Sequence, residues 1–182
     1  MITSTRATIE DLYQVPGKAE IVDGEIVHMS PTGAAPNYAA SEIFVSLREY
    51  SRRTKSGHAV NDNAAFKVDL PNRKSFSPDV AFYVGKWTGM KLFEGAPIFA
   101  AEVRSEGDYG PAAERSMAKK RADYLAAGTL VVWDVDLLDD DVIRSYSASD
   151  PATPIIFRRG EIANAEPALP GWSMRVNDLF ME

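Results

Sequence analysis

The chain has 182 residues, a formal net charge of −6, 45% hydrophobic and 25% charged residues, and no cysteine. That length suits a single domain over residues 1–182, able to bury its own core without staples. The absence of thiols excludes disulfides, thiolate zinc sites and a cysteine nucleophile, and the acidic balance argues against a dedicated DNA-packaging protein.

The N-terminal stretch Met1 to Glu10 has no basic patch followed by an apolar block. No apolar run approaches the roughly 20 residues that span a bilayer, so a cytoplasmic location is expected. Thr8–Tyr13 predicts a short helix, with Thr8 as cap and Asp11 three residues on. Ala19–Met29 predicts a hairpin around an Asp23-Gly24 turn, followed by a loop over Ser30–Pro36. From Asn37 to Arg53, Ala40, Ile43, Phe44, Leu47 and Tyr50 recur at helical steps, and Gly57 marks the stop. Ala59–Leu70 predicts one or two strands, with a turn at Pro71-Asn72.

Asp79–Val84 and Ile98–Val103 have the apolar character of core strands, separated by a loop over Lys86–Pro97. Pro111–Ala127 predicts a helix, with proline at its first position and Gly128 just past its end. Leu130–Val135 predicts a strand, Val142–Ser147 and Ile155–Arg158 outer strands, and Leu169–Phe180 a loop with a terminal turn. The order is that of an α/β (α+β) chain, a mixed sheet flanked by two main helices.

Three residues in this scheme carry chemistry. Asp79 opens a core strand, and Glu102 interrupts the apolar run Ile98-Phe99-Ala100-Ala101-Glu102-Val103. A carboxylate in a buried strand is costly unless it is paired or holds a metal. On the Pro111–Ala127 helix, Ala113, Met117, Tyr124 and Ala127 share one face, and Lys120 lies in the middle of it, while Lys119 and Arg121 point to either side. Two carboxylates and water suit a magnesium ion. The lysine would position or activate the attacking water and balance transition-state charge. The bland reading is a lysine that snorkels, or a buried salt-bridge network without catalysis.

Other polar features read as structural. His28 and His58 lack partners at zinc spacing. Asp139-Asp140-Asp141 reads as an exposed turn. The basic clusters at 52–55, 115–121 and 158–159 read as solvated surface.

The ordered series Glu20-Ile21-Val22-Asp23-Gly24, Met29-Ser30-Pro31-Thr32-Gly33, Ser77-Pro78-Asp79-Val80, Ala101-Glu102-Val103, Lys120 to Gly128, Val132 to Asp136 and Leu169-Pro170-Gly171 resembles the Uma-two family. That family is described as restriction endonucleases within the PD-(D/E)XK nuclease-like superfamily. The resemblance implies a restriction-endonuclease-like mixed β-sheet flanked by helices. It divides the chain into an N-terminal hairpin arm (about 1–36), a nuclease core (about 37–136) and C-terminal strands (about 137–182). It implies that Asp79 and Glu102 bind Mg2+ or Mn2+, that the catalytic lysine comes from the helix at Lys120, and that Glu20 adds a ligand or orients a metal-bound water. Position 104, where a strand lysine would stand, is Arg104.

Two departures are visible. Ser105 is followed by Glu106 and Gly107 where many members carry Ser-Pro-Ser, and Asn37 stands where many have histidine. DNA is the expected substrate and a homodimer the expected assembly. The alternatives are a catalytically silent binding or assembly module, and a metal hydrolase with a non-nucleic-acid substrate.

Overall fold

The computed structural model of the chain describes residues 6–181. The first five residues, part of the stretch read for a leader segment, and Glu182 lie outside the described residues. Helix α1 (Ile9–Gln14) starts at a reciprocal cap: the Thr8 hydroxyl accepts from the Asp11 N–H while the Asp11 carboxylate accepts from the Thr8 N–H. Strands β1 (Ala19–Val22) and β2 (Glu25–His28) pair around Asp23 and Gly24, whose φ values of 53° and 84° are those of a two-residue primed turn.

Helix α2 (Ala34–Thr54) begins earlier than its apolar stripe suggests. Pro36 falls in its first turn, where a missing N–H costs nothing, so a residue that reads as loop is compatible with helix. The helix stops at Lys55, which adopts the left-handed conformation at φ 57°, two residues before the expected glycine. Ala40, Ile43, Leu47 and Tyr50 are buried, and Phe44 packs beside them, as the stripe predicts.

The strands that follow are β3 (His58–Val60), β4 (Phe66–Lys67), β5 (Ser75–Phe76), β6 (Val80–Tyr83), β7 (Phe93–Glu94) and β8 (Phe99–Val103). Helix α3 (Pro111–Ala126) connects β8 to β9 (Val131–Val135), and β10 (Ile143–Ser147) and β11 (Asp150–Phe157) follow. The central sheet has the order β11-β10-β9-β8-β6-β3, with β8 and β9 parallel and the other neighbours antiparallel. The fold is thus the expected mixed sheet with helices on both faces. Val80, Phe82, Phe99, Ala101, Val103 and Trp133 pack toward α2. Their strand neighbours Ala81, Tyr83, Ala100 and Val132 pack toward Tyr124 of α3, as the period of two requires.

Two segments expected as loops contain structure. Within Lys86–Pro97, β7 pairs in parallel with β4; a two-residue strand is too short to leave a periodic signal. Within Leu169–Phe180, β13 (Ser173–Arg175) pairs with β12 (Ile162–Asn164) and runs into a 3-10 turn over Val176–Leu179. Trp172 lies against Phe99 and Trp133, with ring centroids 5.6 and 5.1 Å away, and donates its Nε1–H to the Ser46 Oγ at 3.1 Å. This segment closes the core on the α2 face; prolines and glycines between its apolar residues hide the pattern.

Candidate active site

The β6–β8 ladder pairs Val80 with Ala101. One further step of that register sets Asp79 beside Glu102. By alternation both belong to the α3 face, with Ala81 and Ala100. The Val103 N–H, just past the end of the ladder, donates to Asp79 Oδ2 at 2.8 Å and fixes that carboxylate. The other oxygen, Oδ1, meets Lys18 Nζ at 2.6 Å, and Lys18 also reaches Asp62 at 2.7 Å.

Lys120 comes from α3 on the same face. Its Nζ is 2.9 Å from Glu102 Oε1 and 2.9 Å from Glu20 Oε1. The Tyr124 hydroxyl, one helical turn on, donates to the same Glu102 oxygen at 2.6 Å. Tyr124 is placed by its ring, which stacks on Phe76 at 3.9 Å. Glu20 is 2% exposed and fully engaged: Oε1 also accepts from the Ser77 N–H at 2.7 Å, and Oε2 pairs with Arg73 Nη1. Arg73 in turn holds Asp123 of α3 at 2.8 Å. Lys18, Glu20, Asp79, Glu102 and Lys120 line one cleft of about 1010 Å³, with the Met29–Gly33 loop and His28 on its wall. His58 lies elsewhere, against Trp87.

The electrostatics follow from this crowding. Burial, together with the nearby charges of Asp79 and Glu20, outweighs Lys120 and Lys18 and pushes Glu102 up to about 7. Burial disfavours the Lys120 ammonium, but Glu102 and Glu20 more than offset it, so the group stays charged. Glu20 moves the other way: despite burial, Lys120 and Arg73 hold it below the ordinary glutamate value.

The geometry thus brings Asp79, Glu102, Lys120 and Glu20 together, and adds residues that sequence reasoning missed. Lys18 stands two before Glu20, so strand alternation could have placed it on the same face. Arg73 sits in a turn and carries no pattern. A neighbouring network was also unread. Buried Arg104 forms a bidentate pair with Asp134 at 2.8 and 2.9 Å and also binds Glu114, while Arg121 reaches Asp134 at 3.0 Å. Arg121 is therefore a strut rather than solvated surface. Asp139 pairs with Arg144 at 2.6 Å in the expected exposed turn, beside a second pocket of about 660 Å³.

A divalent cation is tested by the donor chemistry. Among the described residues, no three His, Asp or Glu side chains converge as a ready-made cage. Asp79 and Glu102, neighbours across the β6–β8 register and both lining the cleft, supply an adjacent pair of carboxylate donors. Such a pair, with water in the remaining positions, fits a magnesium-type site.

Comparison of the whole fold places it in a class. A structure titled "Crystal structure of a putative nuclease belonging to DUF820", from Anabaena variabilis ATCC 29413, superposes with a TM-score of 0.74. The match covers 96% of this chain and 97% of that one at 16% sequence identity, which establishes a shared fold. The chain belongs to the Uma2 (Uma-two) family, described as "Putative restriction endonuclease", which matches residues 9–177. Comparison with curated proteins gives no match.

Proposed function

We propose that the chain is a divalent-cation-dependent nuclease acting on DNA, with Asp79 and Glu102 as ligands of Mg2+ or Mn2+ and Lys120 as the catalytic amine. The carrying observation is the convergence of Lys120 Nζ on Glu102 at 2.9 Å, beside Asp79 on the next strand. When bound, the cation would polarise the phosphodiester and acidify a water molecule. Lys120, kept as an ammonium by Glu20 and Glu102, orients the water and stabilises the charge that develops on phosphate oxygens. Glu20 acts through Lys120 as a positioning residue, since its oxygens are taken by Lys120, Ser77 and Arg73. Tyr124 fixes the Glu102 oxygen that faces the amine.

Cleavage of plasmid DNA with Mg2+ or Mn2+, and its suppression by a chelator, tests the reading. Lys120→Ala should lower the rate by about 10²-fold or more while circular dichroism stays unchanged. Glu20 keeps Arg73, and Glu102 can take a proton, so the fold survives the change. A Lys120→Ala variant that cuts normally would falsify the role of the amine. A homodimer, each protomer cutting one strand, is the proposed working form; a monomeric mass in sedimentation with DNA present would contradict it.

A second reading is a silent binding or assembly module. One observation favours it: Asp79, Glu102 and Glu20 are all already paired with lysine or arginine. No cation-dependent cleavage of DNA by wild type, together with no binding of Mn2+, would favour that reading. Cation binding without DNA cleavage would point to a metal hydrolase acting on another substrate.

A further inference from the structure

The cationic side chains around the carboxylates are not equivalent. Lys120 bridges Glu20 and Glu102, and Arg73 bridges Glu20 and Asp123. Arg104 and Arg121 are committed to Asp134. Lys18 differs. It lies at the entry to β1 and holds Asp79 Oδ1 at 2.6 Å and Asp62 at 2.7 Å. Asp62 is 40% exposed, in the turn between β3 and β4, so the lysine has a second anchor that does not depend on Asp79.

We propose that Lys18 is the resident counter-cation of Asp79, displaced when a divalent cation takes that carboxylate and then available to the phosphodiester entering the cleft. The inference rests on the nuclease reading above. Asp79 cannot turn away to make room, because its other oxygen is pinned by the Val103 N–H at 2.8 Å. The Lys18 backbone is pinned as well, its carbonyl accepting from the Met29 N–H at 3.0 Å. Exchange therefore falls to the four-carbon lysine stem, whose head can pivot about Asp62. The divalent cation and the ammonium compete for the same carboxylate in a partly dehydrated cleft, so binding of the one weakens the hold of the other. Once freed, the ammonium stays inside the same cleft, anchored by the half-exposed Asp62.

The test is calorimetric titration of the full chain with Mn2+, comparing wild type, Lys18→Met and Asp79→Ala. Removing the competing ammonium should tighten Mn2+ binding by about tenfold, within the usual range of site-to-site coupling, and Asp79→Ala should abolish it. Should Lys18→Met fail to fold, Lys18→Gln carries the same expectation. Wild type and the Lys18 variant binding Mn2+ equally well would overturn the counter-cation role and leave the nuclease reading standing. Mn2+ binding by neither protein would overturn both. In cleavage assays, the KM for DNA should rise about tenfold in Lys18→Met, with kcat changed far less. An unchanged KM would overturn the contact with the phosphodiester.

Discussion

At the scale of single residues, Glu102 is the most sensitive reporter. Its proton affinity is pushed up to about 7 from the ordinary 4.5, chiefly by burial. Between those values the folded chain holds a proton that the unfolded chain has released, so stability falls as pH rises through the window. Glu20 acts in the opposite sense and lower down. Its depressed value stabilises the fold above the ordinary glutamate range and is lost on acidification. Urea unfolding at about pH 5 and about pH 7.5 should therefore show a loss of stability in wild type that Glu102→Gln lacks. Equal losses in the two proteins would contradict the assignment. A ligating carboxylate must shed its proton, so Mn2+ affinity should rise over the same interval.

At the scale of elements, α3 is seated by charge more than by apolar contact. Of its side chains only Asp123 and Tyr124 are buried. Arg73–Asp123 holds it on one side, and Arg104 on Glu114 and Arg121 on Asp134 hold it on the other, with Lys120 between. Asp134→Ala strips two arginines of a shared, almost fully buried partner and should cost about 3 kcal/mol in urea unfolding. A cost below about 1 kcal/mol would show that Glu114 and Asp136 suffice to hold Arg104. Trp172→Ala should cost about 3–5 kcal/mol, because it opens a cavity between Phe99 and Trp133.

These clamps also explain what was legible beforehand. Elements with a clear period or cap could be read directly: the Thr8 box, the Asp23-Gly24 turn, the α2 stripe and the apolar strands. Glu102 and Lys120 stood out because each is a charge at an apolar position. Arg73, Arg104 and Lys18 could not be read so easily, since a charged residue in a turn or at a strand end looks like solvated surface until its partners are known. The β12–β13 pair leaves no signal in the sequence, because short strands among prolines carry no period.

At the scale of the whole molecule, the net charge of −6 and the internal pairing of the cleft cations mean that little positive potential is left over for DNA. No helix among the described residues is long and apolar enough to cross a membrane. Fluorescence anisotropy with duplex DNA should show weak binding in chelator and clear binding once Ca2+ or Mn2+ is added. The salt dependence should correspond to only a few phosphate contacts. Tight binding in chelator would mean that a basic surface outside this cleft dominates. The most direct measurement is the anomalous scattering of crystals grown with Mn2+. A manganese peak in contact with a carboxylate oxygen of Asp79 and one of Glu102, with Lys120 alongside, is the predicted result. Manganese bound elsewhere, with the carboxylates still closed on their lysines at saturating metal, would contradict it.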